Sequence, residues 1–340
     1  MTLAAAAIIP AKHMKQSEEY TMLTIHIVPG DGALQKAIAS LPADDTPALI
    51  CLAPGEYREK VELRRANVTL QGAGADTTRI VWDDAASRPH PDGLNTGTFR
   101  SYTLLVLANG CTLRGLTIQN AAAPREEVGQ CVALFADGDM FTCEDCTLLS
   151  AQDTLFTAPL PPREVLKNGF LGPTQLLPRV PQRHTYRRCV IKGDVDFIFG
   201  GAAAWFEECD VVSINAYTDG RIPGGYATAA STPEGQKYGY VFCRCRFLAG
   251  EGVGDATMYL GRPWREFAKT VLLNCHIGAH IKPEGWDDWG RAQFPETGFY
   301  AEYGCTGPGS DVSQRASYAH VLTDEQAEAY TYEDFMGSIR

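Results

Sequence analysis

The sequence predicts an all-β chain wound as a stacked solenoid of short strands, a parallel β-helix with short capping helices. Three observations lead there. From about residue 55 to about residue 300, short β-rich runs recur, each ending in a turn. Five of these runs share one shape: aromatic or aliphatic residues, two mostly polar ones, a cysteine, then polar–apolar alternation. That shape aligns Cys146, Cys189, Cys209, Cys245 and Cys275 as one repeated position. In addition, 33 glycines and 20 prolines among 340 residues favour many turns over long helices. A degenerate repeat of this kind stacks its coils to bury one continuous core.

Residues 1–21 have no period and are expected to form a poorly ordered tail, leaving 22–340 as a single domain. Leu23–Val28 alternates like a strand and is broken by Pro29-Gly30-Asp31-Gly32. Leu34, Ala37, Ile38 and Leu41 then fall on one face of a short helix, followed by the apolar strand Ala48–Leu52. The repeats follow. Their runs include Val68–Leu70, Cys111–Ile118, Phe141–Leu148, Tyr186–Ile191, Trp205–Val211, Val241–Phe247 and Val271–Ile277. In such a helix, inward residues sit above one another, so the aligned cysteines are expected to form an interior ladder. The proline-rich stretch Ala158–Pro181 interrupts the pattern, and a loop of that length in a compact domain calls for a functional reason. Near the C-terminus, Thr323-Asp324-Glu325-Gln326 is a capping box, opening a short helix expected to cover an end of the solenoid.

Composition narrows the function. A net charge of −11, from 30 basic and 41 acidic residues, is a poor match for nucleic acid or for an anionic membrane. The apolar stretch Ala4–Pro10 follows no Lys or Arg and is too short to span a bilayer. Eleven cysteines do not make a closed disulfide set, so most are expected to be reduced, buried small hydrophobes. Both features favour a cytoplasmic location, with secretion or a periplasmic location as the alternative. No metal is expected. The pairs Cys143–Cys146 and Cys243–Cys245 lack a matching cluster to complete four ligands. His276 and His280 lack the glutamate of a zinc-protease motif.

Carboxylates and amides stand out in three segments: Gly129–Leu134 with Gln130, Ala151–Phe156 with Gln152 and Asp153, and Gly193–Gly200 with Asp194 and Asp196. Asp196 alternates with apolar and aromatic residues on an apparent strand, so burying it demands a cationic partner. Leu260-Gly261-Arg262-Pro263-Trp264 offers Arg262, with Pro263 and Trp264 beside it to hold it in place. A bidentate Arg–Asp pair keeps a carboxylate ionised and oriented. Singly, each residue reads as a turn former or a surface ion; together, at repeat-equivalent positions, they point to one site.

Those segments, with Gly55-Glu56-Tyr57-Arg58-Glu59, resemble the pectin methylesterases (pectinesterases) over about residues 23–336. The resemblance implies a right-handed parallel β-helix and hydrolysis of the C6 methyl esters of galacturonate in pectin; a cytoplasmic enzyme would instead act on imported methylated oligogalacturonides. Water is then the co-substrate and no metal is used; no cofactor is expected, and the protein is expected to be a monomer. By position, Asp196 would be the nucleophile, and Asp153 the acid that protonates departing methanol and then the base that activates water. Gln130 and Gln152 would stabilise the oxyanion, Arg262 would hold Asp196 ionised, and Trp264 and Phe199 would line the sugar cleft. Asp194 matches no catalytic position and is expected to be replaceable. Cys131 departs from the family, where alanine is common, and Ala158–Pro181 is longer than the usual connection.

Other readings predict other features. A pectate lyase needs a calcium cluster beside a base, and a glycosidase needs carboxylates flanking the glycosidic bond. A serine esterase needs a Gly-x-Ser-x-Gly elbow, which the chain lacks. A purely sugar-binding β-helix predicts a decayed site, yet both Asp, both Gln and the Arg are present.

Overall fold

A computed structural model describes residues 22–221 and 224–339; the expected tail at 1–21 and the apolar stretch within it lie outside these residues. Among the described residues, strands form three sheets of eleven, eight and seven members, and neighbours within each sheet pair in parallel. One coil runs Phe141–Glu144, Thr147–Leu149, Leu155–Thr157; the next runs Arg183–Arg187, Val190–Gly193, Val195–Gly200. Each contributes one strand to each sheet. This is a parallel β-helix, as the repeats predict.

The repeated run is not one strand. It is two, joined by a corner, and the cysteine ends the corner, one residue before the second strand. The residue before each aligned cysteine is left-handed: Asp145, Arg188, Glu208, Arg244 and Asn274 have φ between 50° and 54°. Such a conformation is costly away from glycine. It persists because the corner stays inside the ladder: Arg188 N–H donates to the Glu207 carbonyl at 2.9 Å and Arg244 N–H to the Leu273 carbonyl at 2.9 Å, each one coil on. Gly115, at φ 60°, makes the same corner without the penalty.

Behind the corner the five cysteines are buried and stacked, and all eleven thiols of the chain are free. Beside them Tyr186, Phe206 and Phe242 stack with centroids 4.6 and 4.4 Å apart. The N-terminal end is plugged by the helix Ala33–Ala39, whose Leu34, Ala37 and Ile38 enter the core. Its first N–H groups, of Leu34 and Gln35, donate to the Glu59 carboxylate at 3.0 and 2.9 Å. The far end is closed by Trp286 and Phe294, packed on Tyr300.

The C-terminal capping box forms as predicted, starting the helix Asp324–Glu328. Its expected position is corrected. With the helix Tyr332–Met336 it covers the outer face of the eleven-stranded sheet, where Phe335 packs on Trp205 and Tyr238 at 5.6 and 5.8 Å. Outward Trp205, Val241 and Val271 would otherwise face water, and this apolar face, rather than an open end, is what needs cover.

Candidate active site

The outer face of the seven-stranded sheet carries the polar residues singled out in the sequence. Gln130 and Gln152 are neighbours on successive coils, joined in a parallel bridge. Asp153 N–H donates to the Val195 carbonyl at 3.1 Å, and with Leu155 opposite Ile198 the register sets Asp153 beside Asp196 of the next coil. Both aspartates are left-handed, with φ 64° and 49°. At Asp196 the ladder shifts register between Val195 and Ile198, a bulge that turns a carboxylate within an apolar strand toward the cleft. The same conformation serves the corners elsewhere in the fold; here it falls on two neighbouring carboxylates that line one cleft.

Arg262 grips Asp196 as expected: Nε donates to Oδ1 at 2.8 Å and Nη2 to Oδ2 at 2.6 Å. What holds Arg262 is different from the expectation. Its guanidinium lies between the rings of Tyr226 and Trp289, 3.9 and 3.6 Å from their centroids. Trp264 instead turns into an aromatic cluster with Phe99, Phe156, Phe170 and Phe199. Pro263 serves through its carbonyl, which accepts from Arg291 Nε at 2.8 Å.

These groups meet in one solvent-open cleft with room for about 260 Å³. Gln130, Gln152, Asp153, Asp196, Phe199, Arg262 and Trp264 all line it, so every residue named from the sequence for this site is brought together. The long loop supplies a wall through Val165, Leu166, Gly169 and Phe170.

The two carboxylates differ in environment. Burial pushes both upward, but the two Arg262 hydrogen bonds and its charge pull Asp196 back. Asp153 has no ion-pair partner among the described residues, and the Asp196 charge adds to its burial, so its carboxyl lies well above the usual range. Both carboxyls lie above the ordinary range, Asp153 well above it, while Arg262 favours the ionised form of Asp196 alone, an order that suits an anion beside an acid.

Asp194 has a structural setting that the sequence did not show. Expected to be replaceable because it matches no catalytic position, it is fully buried and accepts from Arg125 Nε at 2.5 Å, while Arg125 Nη2 donates to Gln152 Oε1 at 3.0 Å. Replacing it would strand a buried guanidinium. The sequence reading missed Arg125, Tyr226 and Trp289. None belongs to a motif around the aspartates, and only the stacking of coils brings them near. Cys131, buried beside Ala85, Val128 and Ala151, acts as a small apolar filler.

A β-helix with paired carboxylates, two amides and an arginine in an aromatic-walled cleft has the makings of a hydrolase that works through its own side chains. Comparison with known proteins identifies the group. The family model described as Pectinesterase matches residues 30–162 and 174–338, breaking only inside the long loop. Pectinesterase 31 of Arabidopsis thaliana is 31% identical over 312 residues, 89% of this chain and 88% of that protein. Putative pectinesterase 11 of the same plant is 30% identical, covering 89% and 75%. Among solved structures, pectin methylesterase from carrot superposes with a TM-score of 0.75 at 27% identity, covering 96% and 95%. PemA from Erwinia chrysanthemi gives 0.72 at 30%, covering 90% and 92%, as does a pectin methylesterase in complex with a hexasaccharide. The chain belongs to the pectinesterase family and is a carboxylic ester hydrolase.

Proposed function

We propose that the protein hydrolyses the C6 methyl esters of homogalacturonan through an acyl-enzyme on Asp196. The observation that carries this is the division between the carboxylates: Asp196 clamped by Arg262, Asp153 buried beside it with no ion-pair partner among the described residues. In the first half-reaction an Asp196 oxygen attacks the ester carbonyl carbon. The carbonyl oxygen becomes an oxyanion facing the amide N–H groups of Gln130 and Gln152. Collapse breaks the C–O bond to the methoxy group, and Asp153 gives its proton so that methanol leaves. In the second half Asp153, now a carboxylate, takes a proton from water as the water attacks the mixed anhydride. Asp196 leaves as the carboxylate, the product acid loses its proton, and the enzyme is restored. Phe199 and Trp264 supply apolar faces for the sugar rings.

An oligosaccharide complex of a similar pectin methylesterase supports a carbohydrate chain as substrate here. The eleven free thiols are in keeping with a reducing compartment and so with a cytoplasmic enzyme. Methanol release from highly methylated pectin, measured with reducing ends and unsaturated products, tests the reaction class. Methanol alone is expected. New reducing ends or unsaturated ends without methanol would overturn it.

A further inference from the structure

One buried charge pair beside the cleft is not used by the reaction just described. Arg125 and Asp194 are 8% and 0% exposed, and they meet at 2.5 Å through Arg125 Nε and Asp194 Oδ2. The guanidinium is further enclosed by the ring of Tyr217, 5.1 Å away. The segment carrying that ring is tied down by Glu126, whose carboxylate accepts from the N–H groups of Thr218 and Asp219 at 2.6 and 2.9 Å. Such a pair is costly to bury, and it sits against one cleft residue: Arg125 Nη2 donates to Gln152 Oε1 at 3.0 Å.

The chemistry of that contact is one-sided. A guanidinium only donates, so the atom of Gln152 that faces it must be the amide oxygen. The amide nitrogen is then left to donate elsewhere, and Gln152 lines the cleft. A glutamine free to flip would present an oxygen to a developing oxyanion for part of the time, which repels rather than stabilises it.

Resting on the reading of Gln152 as an oxyanion donor, we propose that Arg125, anchored by Asp194, is a positioning residue that locks the Gln152 amide with its N–H groups toward the substrate. Arg125 uses two different nitrogens for its two partners, which lysine, with one, does not reproduce.

The test is a double-mutant cycle on the full chain, following methanol release from methylated pectin. Arg125→Lys keeps the charge opposite Asp194 and is expected to lower kcat about 10–100-fold, with KM within about twofold and an unchanged melting temperature. In a Gln152→Ala background the same substitution is expected to cost less than about threefold, because the group it orients is gone. Arg125→Gln, if it folds, should behave likewise. A folded Arg125→Lys with wild-type kcat, or an equal loss in both backgrounds, would overturn the proposal while leaving the esterase reading intact. Gln152→Ala with wild-type kcat would remove the donor role and the proposal together. A wild type that releases no methanol would overturn the esterase reading itself.

Discussion

Two carboxylates one coil apart can divide acid and base work only if their surroundings differ, and here the difference is one arginine. Asp196 is titrated against Arg262 and Asp153 against Asp196. The mechanism we propose needs Asp196 charged and Asp153 protonated, so it predicts that the acid limb of kcat/KM follows Asp196 and the alkaline limb follows Asp153. Arg262→Gln removes the groups that pull Asp196 down, and the acid limb is expected to move to higher pH as activity falls. A limb that stays in place would separate Arg262 from the ionisation of Asp196. The same burial has a cost in folding. Because the Asp153 carboxyl is raised in the folded state, the native protein holds a proton that the unfolded chain has lost, and stability declines as pH rises above the ordinary carboxylate value. Asp153→Asn removes that slope. Its melting temperature is expected to exceed the wild type's by a margin that grows from pH 4 toward neutrality, whereas a constant margin would contradict the assignment. At this scale the sequence revealed residues whose type is unusual for their place: a carboxylate among aromatics, an arginine before Pro263. It could not reveal Tyr226 and Trp289, because their role is created by stacking of coils and no local pattern encodes it.

At the scale of elements, the corner that precedes each aligned cysteine joins local strain to global register. Glu208 is exposed, yet its φ of 54° makes it a structural position. Glu208→Val is therefore expected to destabilise the fold by about 1–3 kcal/mol in urea unfolding, although a surface change there would ordinarily be neutral. Glu208→Gly is expected to be tolerated. Equal stability of the two variants would show that the corner is not strained. The repeat made the strands legible and left the corner hidden: alternation continues across it, and a left-handed residue of any identity has no compositional mark. The long loop was legible as an interruption, and its place on the cleft follows from the strand it leaves, Leu155–Thr157. Val165 and Leu166 line the cleft while remaining 77% and 74% exposed. Replacing both by serine should raise KM for pectin severalfold and leave the melting temperature unchanged. An unaltered KM would remove the loop from substrate binding.

Across the whole molecule, the solenoid explains both the cysteine count and the position of the site. One inward face repeats, so one small apolar residue recurs; one outward face repeats, so residues far apart in the chain fall into a single cleft. The outer face of the largest sheet is the exception, since its apolar residues need the C-terminal helices. Phe335, fully buried there, is expected to cost about 3–5 kcal/mol when replaced by alanine, read as a lower urea midpoint without loss of kcat in the folded protein. Much of this architecture was legible because a solenoid writes its period into the sequence; the helices were misplaced because a capping box marks where a helix begins and not what it covers. The net charge of −11 sets no obstacle to a substrate that is neutral wherever it is methylated. The central claim, that Asp196 attacks the ester, is tested most directly by methanol release from methylated pectin with the wild type and Asp196→Ala. The account predicts a loss of at least about 10⁴-fold in kcat for the folded variant. A folded Asp196→Ala enzyme that keeps a tenth of wild-type activity would contradict it.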